Sequence, residues 1–111
     1  MRHYVIDDMA PGDRKRLAEE LARRGYSAGI EGLFWLPVPD RLLTPLQRGH
    51  ARSCGPHAMA IEMTATGCDL ELLVRARNRL RCDCVGPANE KAKAGMIRLL
   101  DEILADLDIA C

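Results

Sequence analysis

Aromatic side chains are scarce: the 111 residues include one Trp, one Phe and two Tyr. A core built from this chain is therefore mainly aliphatic, and a surface that stacks several nucleobases has few rings to draw on. Net charge is absent too. Sixteen basic side chains balance sixteen acidic ones, which argues against a domain whose binding is dominated by phosphate contacts. No apolar run approaches the length that spans a bilayer, and the first residues, Met1 to Asp8, meet charge too early for a secretory leader. The expected compartment is the cytosol, with no membrane partner. There the five cysteines (Cys54, Cys68, Cys82, Cys84 and Cys111) are expected to be reduced, and their odd number argues against a disulfide framework. Phosphate loops, dinucleotide fingerprints and serine nucleophile elbows are all missing.

What is present is enough apolar material for one core. The chain reads as a single domain, residues 1–111, with no repeat, low-complexity tract or linker. Tyr4-Val5-Ile6 predicts a short strand. Pro11 suits the first position of a helix whose stripe is Leu17, Ala18, Leu21 and Ala22, and Gly25 after Arg23-Arg24 stops it. Leu33-Phe34-Trp35-Leu36 predicts a largely buried strand ended by Pro37 and Pro39. Thr44-Pro45-Leu46-Gln47 carries a cap, an N-terminal proline and a capping-box partner for a short helix from Pro45 to Ser53, stopped by Gly55-Pro56.

The longest patterned stretch is Ala58 to Val85. Two alternating runs flank a turn at Thr66-Gly67 and predict a hairpin. In the second run, Leu70, Leu72, Val74, Ala76, Leu80, Cys82 and Cys84 fall on one set of alternate positions, and Arg75, Arg77, Arg79 and Arg81 on the other. Strand geometry turns that into a buried apolar-and-thiol face backed by a basic outer face, with a bend or second hairpin near Arg77-Asn78-Arg79, since so long a strand does not fit so small a domain. A last helix from Pro87 to Asp108 carries the apolar face Met96, Ile97, Leu99, Leu100, Ile103, Leu104 and Leu107. Gly95 in its interior lowers helix propensity and suits close packing on the sheet. The order β-α-β-α-β-β-(β)-α points to an α+β two-layer sandwich. It has a mostly antiparallel sheet of four or five strands, two long helices on one face and one short helix, and is ferredoxin-like in outline. The first β-α-β allows a right-handed crossover.

Two constellations could carry chemistry. His50, Cys54 and His57 lie close in sequence, and Cys82 and Cys84 are two apart. His50 and Cys54 share a face if helical, and Cys82 and Cys84 share one if extended. Thiolates with imidazoles at tetrahedral positions suit zinc, but neither spacing is a standard half-site, and buried cysteines commonly serve as small core hydrophobes. The second constellation is the row Arg75, Arg77, Arg79 and Arg81, which suits an acidic protein partner, a small anionic ligand or RNA. No aromatic accompanies it in sequence, so nucleic acid is the least favoured of these. A solvated face that deters edge pairing is the plain alternative.

Catalysis finds no support. Cys54 with His50 or His57 could be drawn as nucleophile and base, but a thiolate at a helix C-terminus faces the wrong end of the dipole, and no carboxylate is placed to orient either ring. No catalytic residue is assigned. The sequence alone therefore favours a non-catalytic interaction or regulatory module without a cofactor, binding a protein partner or pairing with itself through an edge strand or the Leu33 to Leu36 run. The alternative is a Cys/His metal-binding protein, of zinc type, using His50, Cys54, His57, Cys82 and Cys84. The further alternative is an anionic-ligand or RNA-binding domain using Arg75 to Arg81.

Overall fold

Alternation of apolar residues along the central strands organises the molecule. The computed structural model describes residues 2–109, and Cys111 lies outside them. Six strands and three helices follow in the order β1 (His3–Ile6), α1 (Pro11–Arg23), β2 (Leu33–Pro37), α2 (Pro45–Gly49), β3 (His57–Met63), β4 (Cys68–Glu71), β5 (Leu73–Ala76), β6 (Gly86–Pro87) and α3 (Glu90–Asp106). A single turn of 3-10 helix, Asp40–Leu42, precedes α2. Every strand pair is antiparallel. The α+β two-layer sandwich expected from the sequence is the observed fold.

The β3–β4 hairpin is the spine. Ile61 faces Leu70 and Met63 faces Cys68. Gly67 closes the hairpin because nothing larger fits: a Cβ there would lie 1.7 Å from the carbonyl oxygen of Ile6. β4 and β5 form one line interrupted at Leu72. Between the Ile61–Leu70 and Ala58–Arg75 pairs, β3 advances three positions and the facing chain five, a bulge that kinks the strand. Leu72 is not left unpaired. Its N–H donates to the Arg2 carbonyl at 2.8 Å, and its carbonyl accepts from Ala88 N–H at 3.1 Å. That ties both β1 and the start of α3 to the bulge.

β2 pairs along the other edge of β3, with Phe34 opposite Ile61 and Leu36 opposite Met59. Those four side chains, with Cys68, Leu70 and Val74, form the inner face. α1 adds Leu17 and Leu21 to this core, and α3 adds Met96, Leu100, Ile103 and Leu104. Burying the four large α3 side chains contributes on the order of 10 kcal/mol before chain entropy opposes it. Gly95 does allow close packing, although not on the sheet. A Cβ there would meet Leu42 Cδ1 at 2.6 Å, so α3 crosses the 3-10 turn at its glycine.

Three expectations are corrected. β1 lies antiparallel to β4, β4 to β3 and β3 to β2, so β1 and β2 run in opposite directions, and the β1–α1–β2 unit is no parallel crossover. The ferredoxin-like likeness stops at the two layers. The bend expected near Arg77-Asn78-Arg79 is present, but no strand follows it to Val85: β5 ends at Ala76, because a bridge between Ala76 and Arg79 turns the chain back and Asn78 is bonded to the α2–β3 connection. Leu80, expected on the buried face, is consequently 95% exposed.

The outer edge of β2 is already occupied. Trp35 N–H donates to the Tyr26 carbonyl at 2.7 Å and Ala28 N–H to the Leu33 carbonyl at 3.0 Å. A loop covering an edge in this way blunts strand addition, which removes the simplest route to pairing through the Leu33 to Leu36 run. Among the described residues, no helix is long and apolar enough to cross a membrane.

Candidate metal centre

Two chain segments meet at the end of the sheet where β3 begins. The first is α2 and the turn after it. Thr44 caps α2 through a complete capping box: its hydroxyl accepts from Gln47 N–H at 3.2 Å, and Gln47 Oε1 accepts from Thr44 N–H at 2.9 Å. Regular helix ends at Gly49, earlier than the sequence suggests. Even so, Cys54 N–H still donates to the His50 carbonyl at 2.8 Å, a helical spacing that keeps His50 and Cys54 on one side. The second segment is the loop between β5 and β6, which carries Cys82 and Cys84. The pair thus sits on a loop rather than on the predicted strand.

The loop is fastened to the first segment by its own polar groups. Asn78 N–H donates to the Cys54 carbonyl at 2.9 Å, the Asn78 side-chain amide donates to the Gly55 carbonyl, and Arg77 N–H donates to the Pro56 carbonyl at 3.0 Å. Gln47 Nε2 donates to the Cys84 carbonyl at 3.1 Å, in a buried bond across 37 positions. Gln47 therefore has two duties, and only its cap duty is visible in sequence. Val85 N–H closes a turn onto the Cys82 carbonyl at 3.0 Å, which folds the two cysteines toward each other.

The result is one cluster. The ligand atoms of His50, Cys54, Cys82 and Cys84 all lie within 4.8 Å of one another. Cys54 Sγ is 3.5 Å from Cys82 Sγ, and His50 Nδ1 is 3.1 Å from Cys82 Sγ and 3.7 Å from Cys54 Sγ. Tetrahedral zinc, with Zn–S near 2.3 Å and Zn–N near 2.0 Å, requires separations of about 3.8 Å between thiolates and about 3.6 Å between thiolate and imidazole. The three separations among His50, Cys54 and Cys82 fall within about 0.5 Å of those values, and the Cys84 sulfur lies within 4.8 Å of the other three donors. Cys54, Cys84 and Ala76 form a small apolar cluster of their own, with Cys82 and Val85 packed against it, separate from the main core.

The electrostatics of the cluster are uneven. Cys82 is pulled down to about 6, first because the Cys84 backbone N–H donates to its sulfur, then through the thiols of Cys84 and Cys54 and the ring of His50. Cys84 is pushed up to about 12, first by burial and then because its thiol is held by Cys82 and Cys54. Of these two thiols, Cys82 is thus the more readily ionised, and a cation at the cluster would favour the ionised form of both.

His57, the fifth residue considered with this group, stands apart from the four. It opens β3 opposite Ala76, its ring is buried, and neither ring nitrogen has a hydrogen-bond partner among the described residues. Burial, and after it the nearby His50, holds its pKa below the ordinary value. The arginine row is likewise not one strand face. Arg75 lies on β5, paired to Glu71 at 2.7 Å. Arg77, Arg79 and Arg81 follow beyond it, exposed on the loop. An aromatic ring does accompany them: the Arg77 guanidinium lies 5.8 Å from the centre of the Trp35 ring.

No protein-family model matches the chain, and neither the curated proteins nor the solved structures include a match to it. The functional reading therefore rests on the cluster's own geometry.

Proposed function

We propose that the chain is a metal-binding domain that holds one zinc-type ion through His50 Nδ1 and the sulfurs of Cys54, Cys82 and Cys84, and that the ion has a structural role. The carrying observation is the convergence of four soft donors, from segments 28 or more residues apart, within 4.8 Å. Three thiolates and one imidazole are a donor set that zinc favours, and they fill all four tetrahedral positions. A filled shell leaves no open position for water or substrate, so the ion acts as a staple between the α2 turn and the β5–β6 loop rather than as a Lewis acid. Reduced thiols are needed for this, which suits a reducing compartment.

A structural ion ties binding to folding. Native mass spectrometry on protein purified anaerobically without chelator should give a stoichiometric zinc adduct. Cys82→Ser and Cys84→Ser should remove the adduct and lower the unfolding midpoint together. Loss of stability with no metal bound to the parent protein would leave these cysteines as core residues and refute the proposal. An interaction role is compatible with a stapled domain; one surface supports it.

A further inference from the structure

The metal-stapled loop has an outward side that the staple does not use. Arg77, Arg79 and Arg81 are exposed there, and none has a carboxylate within ion-pairing distance among the described residues. Arg52, on the turn between His50 and Cys54, is also exposed and unpaired. Arg77, Arg79 and Arg81 thus lie within five positions of one loop whose nearest acidic residue in sequence is the exposed Asp83. Between Arg79 and Arg81 projects Leu80, at 95% the most exposed of the large hydrophobic side chains. Leu80 lines a recess of about 80 Å³ together with Trp35, Arg75, Ala76, Arg77, Arg79 and Val85.

We infer that this face binds an acidic protein segment that carries an aliphatic side chain, the carboxylates pairing with Arg77, Arg79 and Arg81 and the aliphatic group entering the recess against Trp35 and Leu80. The inference rests on the metal reading in one respect: the ion fixes the loop and so pre-orders the arginines. Three features favour a peptide over a nucleic acid. The recess takes one aliphatic side chain, an exposed leucine is an apolar anchor rather than a stacking platform, and the one ring present, Trp35, already has Arg77 over it. Arginine, aromatic and isolated apolar groups are what protein interfaces concentrate at their centres.

The sole Trp of the chain provides the readout. Protein purified without chelator is titrated with a short synthetic peptide of Glu, Asp and Leu, with the same peptide bearing Ser in place of Leu, and with single-stranded DNA of equal charge, following Trp35 fluorescence and peptide anisotropy. The Leu-containing peptide should bind, and should weaken as salt is raised. Arg79→Glu/Arg81→Glu should weaken it on the order of tenfold or more, and Leu80→Ala should reduce it to the level of the Ser peptide. Lys15→Glu, on α1 beside Met63 at the far end of β3, should change nothing. Tighter binding of the DNA, insensitive to Leu80→Ala, would overturn the inference in favour of nucleic acid. Binding of neither probe would overturn it outright. The metal content of the same samples separates the two readings: zinc with no peptide binding defeats only the docking surface, and peptide binding without zinc defeats only the staple.

Discussion

Replacing Gln47 by Ala tests whether the second sphere around the cluster is organised as described. Gln47 is buried, and its amide makes two bonds at once: Oε1 accepts from Thr44 N–H at 2.9 Å, and Nε2 donates to the Cys84 carbonyl at 3.1 Å. Truncation leaves a buried carbonyl without its donor, which costs about 1–3 kcal/mol. It also removes half of the capping box, which costs about 0.5–2 kcal/mol. The total is about 1.5–5 kcal/mol, or on the order of 10 °C or more in Tm for a chain of this size. Thr44→Ala removes only the cap and should cost about 1 kcal/mol. Urea unfolding measures both. Because Gln47 also orients the Cys84 loop, the Ala variant should bind zinc about tenfold or more weakly, as second-sphere deletions do, while Thr44→Ala should bind normally. A Gln47→Ala loss below about 0.5 kcal/mol, or equal metal affinity in both variants, would refute the reasoning.

Other consequences follow from the same structure. Zinc uptake near neutral pH should release at least one proton, because Cys84 is pushed up to about 12 and must ionise to bind; calorimetry in buffers of different ionisation heat counts the protons, and none released would contradict ligation by Cys84. His57 is held below its ordinary value of 6.5 by burial and the nearby His50. As pH falls through that value the unfolded chain takes up a proton before the folded one does, so stability falls with it; His57→Phe should flatten this slope in urea midpoints measured between pH 7.5 and 5.5, a window on the order of one unit either side of the free imidazole, and an unchanged slope would refute the assignment. Gly67→Ala drives a Cβ onto the Ile6 carbonyl and should cost about 3 kcal/mol or more; a thermal melt within a degree or so of the parent would contradict the close approach.

The parts of the fold legible in the sequence are those set by local chemistry. The capping box at Thr44 and Gln47, the turn at Gly67 and the apolar stripe of α3 each depend on residues within a few positions of one another, and all three appear as read. Beyond the bend expected near Arg77-Asn78-Arg79, the renewed alternation of Leu80, Cys82 and Cys84 misled, because alternation is a strand signal only while a partner strand is available. β3 runs out of pairing positions at His57, and the bonds of Arg77 and Asn78 to the α2–β3 connection divert the chain into a loop. That diversion is what carries Cys82 and Cys84 to His50 and Cys54. Their non-standard spacings reflect a cluster assembled by tertiary contacts rather than by one local turn. The pairing of Arg77 with Trp35, 42 positions apart, left no trace in either local pattern.

X-ray absorption at the zinc edge of protein isolated without chelator tests the central claim most directly. The account predicts a first shell of three sulfurs near 2.3 Å and one nitrogen near 2.0–2.1 Å, with no water. A shell of oxygen and nitrogen alone, or protein that carries no zinc to excite, would contradict it.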